Sequence, residues 1–113
     1  MHELSIATGI IEIVTEEAAR VSATKVTRID VEIGTLAGIE KDSLMFSWEL
    51  VTEGTIASKA DLVIREIQAI AECLVCHRTF PLEHPLAICP HCQSNRYQIN
   101  IGKELRISSL EVE

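Results

Sequence analysis

Four cysteines stand in two pairs, Cys73-Leu-Val-Cys76 and Cys89-Pro-His-Cys92, with twelve residues between them. Two thiolates three residues apart sit on one tight turn and can aim at one point. Two such turns close a tetrahedron around a borderline-soft metal. Pro90 stiffens the second turn, and the spacer is near, though somewhat shorter than, the usual four-cysteine zinc spacing. Zinc is the expected metal. Iron in a rubredoxin-like site would use the same thiolates and stays open at this point, although only Phe80 and Tyr97 offer aromatic cover nearby. A redox CxxC needs a helix N-terminus behind it, and two disulfides do not suit a reducing compartment. Zinc held by four thiolates has no open position and activates no water. Its expected role is to keep residues from about 70 to 102 folded.

Three histidines crowd the same segment: His77, His84 and His91. The plain reading is exposed turn residues. The sharper one makes His77 and His91 neighbours or exchangeable ligands of the metal, which would make the site respond to pH because imidazole titrates near neutrality.

The other residues that could do chemistry are the first three. Met1 should survive processing before the bulky His2. Its amine, the His2 backbone nitrogen and the His2 imidazole can then close two fused chelate rings. That nitrogen set suits square-planar Ni(II) or Cu(II). Glu3 could add its backbone nitrogen or hold the turn.

Periodicity predicts a helix from about Ser5 to Val21, with Ile6, Ile10, Ile13, Val14 and Val21 as its apolar stripe. Lys25 to Ile33 reads as a strand, with Thr27, Ile29, Val31 and Ile33 on the buried face and Arg28, Asp30, Glu32 and Val26 on the wet one. Gly34 and Gly38 bracket a turn. A second helix is expected over 41–52, capped by Asp42 or Ser43, ended near Gly54, and packed through Leu44, Met45, Trp48 and Val51. Ala60 to Ile67 and Lys103 to Val112 read as two further strands, the last changing parity near Ser108-Ser109. The expected fold is α+β: two helices on a small three-stranded mixed sheet, with a four-cysteine zinc knuckle inserted at the tip of the hairpin between the second and third strands. The expected division is 1–69 plus 103–113 as one domain and 70–102 as the zinc-binding one. A hairpin-tip insertion with open edges could also swap or pair with a second copy, giving a homodimer.

Composition narrows the function. The chain of 113 residues carries a formal charge of -7, and between Cys73 and Cys92 the only formal cation is Arg78. That argues against a protein that tracks nucleic-acid phosphates. No apolar run reaches the roughly 18–20 residues of a membrane span, and the start lacks the features of a signal peptide. The expected location is the cytoplasm, with no membrane partner.

The Met1-His2-Glu3-Leu4-Ser5 start, the Val31-Glu32-Ile33-Gly34 segment, both CxxC pairs and the closing Ser108-Ser109-Leu110-Glu111 occur here in one order. Over essentially the whole chain the sequence thereby resembles the HypA/HybF family, nickel metallochaperones of [NiFe] hydrogenase maturation. The resemblance implies nickel at the N-terminus, with His2 as the essential side chain, the Met1 amine as co-ligand and Glu3 beside them. It implies zinc on Cys73, Cys76, Cys89 and Cys92, and no catalytic residues. It also implies work with the nickel-handling GTPase HypB and delivery to the hydrogenase large-subunit precursor. Some members of the family also serve urease. The competing reading is a zinc-ribbon module for protein or nucleic acid. That reading loses on charge and leaves Met1-His2 unexplained. A metallohydrolase would need an open metal site with a general base, which the four-cysteine motif does not offer.

Overall fold

The computed structural model of the chain describes residues 2–113. Its elements, in order, are α1 (His2–Arg20), β1 (Val26–Gly34), α2 (Lys41–Thr52), β2 (Asp61–Ile67), β3 (Ile70–Cys73), β4 (Thr79–Pro81), β5 (Tyr97–Ile101) and β6 (Leu105–Val112). They form two three-stranded sheets, ordered β2-β1-β6 and β4-β3-β5. Contacts group the chain into two compact units. One is the stretch up to Val31 with Ile39–Ile64 and Ile107–Glu113. The other is Glu32–Gly38 with Arg65–Arg106.

In the first unit α1 packs against α2. α1 begins at His2, three residues before the start read from the sequence, with acidic Glu3 in its first turn and Arg20 in its last. Both charges suit the helix dipole. The helix stops in a Schellman arrangement: Ala23 N–H reaches Ala18 O at 2.9 Å and Ser22 N–H reaches Ala19 O at 3.1 Å. Ser22 takes the left-handed φ of 58° where glycine is usual. The buried stripe is Glu3, Ala7, Ile10, Ile11, Val14 and Ala18. This corrects the expected stripe, because Ile13 and Val21 point to solvent. Alanines 7 and 18 hold the inner face, where small side chains let elements approach closely, and a pattern built on large apolar residues passes over them.

α2 has the bounds expected of it, but its cap is Glu40, whose side chain accepts from Asp42 N–H at 3.1 Å. Asp42 and Ser43 lie inside the helix. Its buried residues are Leu44, Ser47, Trp48 and Thr52. Thr52 spends its hydroxyl on Trp48 O at 2.8 Å, so a polar side chain can be buried there without an orphaned donor. Trp48 is core, as its placement on the apolar side suggests, while Met45, Phe46 and Leu50 are exposed. Gly54 has the positive φ, 78°, expected after the helix.

β1 lies between β2 and β6. Thr27 and Asp30 reach Glu111 O and Ser108 in turn, so β6 runs antiparallel to β1. In the second unit Thr35 N–H, just past β1, bonds Ile67 O at the end of β2, as a parallel pair requires. The sheet is therefore mixed. The expected hairpin is corrected: β2 and β6 do not pair, because β1 separates them. The alternation of β6 breaks between its half-buried Ile107 and Leu110, across the two serines. The central place of β1 also explains Glu32 and Val26, both expected on the wet face and both buried. Arg65 of β2 and Arg106 of β6 each form an ion pair with Glu32.

The second unit contains strands that the sequence reading left out. β3 pairs antiparallel with β4 (Ala71↔Phe80) and with β5 (Cys73↔Tyr97), with a register shift at Ile70/Ala71. Strands of three to five residues are too short to show a period of two. Ala69, Ala71, Cys73, Phe80, Leu82 and Cys89 form the buried cluster, and Phe80 meets Tyr97 edge-on at 5.8 Å. A side chain at Gly34 would overlap the carbonyl of Gly102, which itself takes a φ of 121° against Ala69, so these two positions need glycine.

Candidate metal centres

Both cysteine pairs are built on one plan of backbone hydrogen bonds. In the first turn Cys73 N–H bonds Arg78 O at 2.9 Å, and His77 N–H returns to Cys73 O at 3.0 Å. In the second, Cys89 N–H bonds Ser94 O at 2.9 Å, and Gln93 N–H returns to Cys89 O at 2.8 Å. The amide two residues on points at the sulfur in each: Val75 N–H to Cys73 Sγ and His91 N–H to Cys89 Sγ, both at 3.4 Å. His77 and Gln93 then turn the chain away with φ of 64° and 65°. For non-glycine residues that conformation costs about 1–2 kcal/mol each, which the repeated hydrogen bonds must offset.

The turns face one another. Cys73 Sγ lies 3.5 Å from Cys92 Sγ, and Cys76 Sγ lies 3.7 Å from Cys89 Sγ. All four sulfurs lie within 4.8 Å of one another. Zinc–sulfur bonds of about 2.3 Å in a tetrahedron place sulfurs roughly 3.8 Å apart. A disulfide would need about 2.05 Å, and all four thiols are free. The cluster fits a structural zinc site.

Its electrostatics are uneven before any metal arrives. The Cys76 amide, helped by the Val75 amide and opposed by burial, brings the Cys73 thiol down to about 6. Burial raises Cys89, but the amides of Cys92 and His91 outweigh it and leave that thiol lowered. The Ser94 amide pulls Cys92 down, yet the facing Cys73 sulfur and desolvation push it up to about 11. Zinc holds all four sulfurs as thiolates, so its binding releases the protons that the thiols carry.

His77, His84 and His91 are all exposed. His91 Nδ1 lies 3.5 Å from Arg78 Nη1, and among the described residues the metal-ligand cluster contains the four cysteines alone. The plain reading of these three histidines fits their exposure.

The N-terminal turn is the second candidate site. Met1, expected as a co-ligand through its amine, lies outside the described residues. The His2 side chain is 60% exposed, and its Nε2 lies 3.2 Å from Oε2 of Glu3, whose side chain is only 10% exposed. The same Oε2 accepts the Glu40 N–H at 3.1 Å. That amide, more than the neighbouring charges, holds the Glu3 carboxyl below its ordinary range against the effect of burial. The first-turn amides of a helix have no acceptor four residues back, so that of His2 can serve a ligand without breaking α1, while that of Glu3 meets its own carboxylate. Glu40 was missed in the sequence: it stands 37 positions from Glu3 and carries no local signal of the contact.

The family described as HypA, hydrogenase/urease nickel incorporation metallochaperone, has a family model that matches residues 1–112. The hydrogenase maturation factor HypA of Chlorobaculum parvum is 42% identical over 113 residues, covering all of both chains. That of Azotobacter vinelandii is 43% identical over the same span and coverage. Among solved structures, the Ni metallochaperone HypA from Helicobacter pylori is similar with a TM-score of 0.68 and 28% identity, over 97% of this chain and 96% of that one. A second HypA solution structure has a TM-score of 0.73 and 30% identity, over 100% and 97%.

Proposed function

The chain belongs to the HypA family of nickel-incorporation metallochaperones in hydrogenase maturation, and on that premise we propose that it carries Ni(II) at its N-terminus. The proposed ligands are the Met1 amine and the His2 backbone nitrogen and imidazole, with Glu3 beside them offering its backbone nitrogen. The proposed recipient is the [NiFe] hydrogenase large-subunit precursor, with the GTPase HypB as the partner that handles nickel alongside it. Residues 1–69 with 103–113 act as the nickel-binding domain and 70–102 as the zinc module, in which Cys73, Cys76, Cys89 and Cys92 hold zinc. The protein is a carrier and not a catalyst, and it works in the cytoplasm. The open edges of β2 and β6 offer a second copy a place to pair. Among the described residues, no helix is long and apolar enough to cross a membrane.

The observation that carries this reading is the exposed His2 imidazole on a first helix turn, where the His2 amide has no helical acceptor. Deprotonating such an amide to bind nickel breaks no helical hydrogen bond. The helix dipole opposes a cation here by about 0.3–1 kcal/mol, and the Glu3 carboxylate beneath offsets it. A terminal chelate with few ligands can be handed on by ligand exchange, whereas a buried four-thiolate cage cannot. Affinity alone does not select nickel, since Cu(II) outranks it in the Irving–Williams order. Geometry, metal supply and the partner must provide the selectivity.

The test is Ni(II) titration of untagged protein, of His2→Ala, and of protein acetylated at the Met1 amine. Acetylation takes the amine out of the chelate. Nickel binding should be lost in the second and weakened in the third. If all three bind alike, the N-terminal chelate is wrong.

A further inference from the structure

We propose that the Glu3 carboxylate is a positioning residue for nickel: it accepts Nε2–H of His2 and so leaves Nδ1, the ring nitrogen nearer the backbone, as the ligand. The inference rests on the N-terminal nickel reading above and goes beyond it by assigning the Glu3 side chain a role other than ligation. Only Nδ1 can close a six-membered ring with the backbone nitrogen of the same histidine. Nε2 lies on the far side of the ring and would have to reach a metal from elsewhere. A productive chelate therefore needs the ring turned with Nε2 away from the metal and the proton on Nε2. The 3.2 Å contact between Nε2 and Glu3 Oε2 meets both needs.

The contact is built and not incidental. Glu3 is an acid on the buried stripe of α1, among Ala7, Ile10, Ile11 and Val14. The Glu40 N–H, at 3.1 Å on the same oxygen, fixes it in place. The exposed imidazole comes to a fixed carboxylate, not the reverse. A metal-binding histidine whose second nitrogen donates to a carboxylate has a fixed tautomer and ring orientation and a more basic ligand nitrogen. Oε2 already serves two donors, which suits a positioning group better than a ligand. The arrangement also ties the chelate to the start of α2, so a partner that shifts the backbone at Glu40 would loosen His2 and favour release of the cargo.

The experiment uses the full, untagged, zinc-loaded chain with 15N-labelled histidine. Long-range imidazole spectra are recorded without nickel, and Ni(II) affinity and the absorption band of the bound metal are then measured. In the parent protein His2 should carry its proton on Nε2. Glu3→Ala should give mixed tautomers and bind Ni(II) about 10–100-fold more weakly, with the absorption band unchanged. Glu3→Gln, whose side-chain carbonyl can still accept Nε2–H, should recover most of the affinity. Zinc content and helical signal report whether the variants fold. Glu40→Pro, at a φ of -81° that proline accepts, removes the amide that anchors Glu3 while keeping the His2 and Glu3 side chains, and should give a smaller loss; Glu40→Ala, which loses only the α2 cap and keeps that amide, should give none. Unchanged imidazole spectra across the Glu3 variants overturn the positioning role whatever nickel does. A changed absorption band in both Glu3→Ala and Glu3→Gln makes Glu3 a ligand and overturns it too. Nickel binding unaffected by His2→Ala sinks the carrier reading, and the metal-free spectra still report on Glu3 separately.

Discussion

The cysteine turns gather metal-ligating atoms and the first turn of α1 is proposed to, and the two do so in opposite ways. The turns bring four sulfurs together from two segments thirteen or more residues apart, and bury Cys73 and Cys89 in the core of the second unit. Two of the four ligands are core residues, so metal and fold are one equilibrium. The N-terminal turn draws its atoms from consecutive residues at the end of a helix that folds through other contacts. Its imidazole is exposed, and only the carboxylate beneath it is packed. A site assembled from distant core residues holds its ion, whereas a site made from one chain end can give its ion up. The same protein can contain both because the two sites share no residues.

The comparison breaks most sharply at the cysteines. Cys73→Ala should remove about one zinc per chain, seen by metal analysis, and unfold residues from about 70 to 102 while α1 and α2 stay helical. The energy at stake is that of structural zinc, about 10–16 kcal/mol in apparent terms. Retained zinc with an ordered module would undo the four-cysteine assignment. Zinc binds the four sulfurs as thiolates, so acidification should release the metal and unfold the module in one step; metal content and structure followed against pH check this.

A smaller effect separates the two units. Leu82 and Leu44 are both fully buried, and truncation of either to alanine should cost about 2–5 kcal/mol in zinc-loaded protein. After chelation the Leu82→Ala penalty should vanish, because its surroundings are already unfolded, while the Leu44→Ala penalty persists. Denaturant unfolding with and without chelator measures both, and a Leu82→Ala penalty that survives chelation would mean the module folds without metal.

Smaller again is the effect of His2→Ala on stability, within about ±0.5 kcal/mol, even as nickel binding is lost. A large fall in melting temperature would show that the N-terminal turn supports the fold after all. The smallest effect concerns Glu3. Its carboxyl titrates below the ordinary 4.5, so its contribution to folding is present above that value and is lost as pH falls through the lowered one. A carbon-detected titration of Glu3 follows this, and an ordinary titration would show that the Glu40 contact does not hold in solution.

The candidate ligands could be picked out in the sequence because they depend on local spacing. A CxxC turn needs no distant residue to be recognised, and neither does His2 next to a terminal amine. The bounds of α2 and the run of β1, β2 and β6 were legible for the same reason, since each is long enough to show its period. The inner face of α1 was not, because Ala7 and Ala18 are buried by what packs on them and not by their own hydropathy. β3, β4 and β5 were not either, since strands this short are defined by their partners. The cap of α2 was misread because Glu40 takes the place of the better-known short capping side chains.

By itself the sequence determined which atoms could bind metal, that four of them would form a closed set, and that two helices and three main strands would surround them. Local geometry and periodicity suffice for such statements. Only the tertiary structure decided that β1 lies between β2 and β6, that Glu32 is buried under two arginines, and that Glu3 is held by the amide of Glu40. Each of these joins residues more than thirty positions apart. Such contacts are chosen by how whole elements pack and by the need to satisfy each buried charge, and no local pattern encodes them.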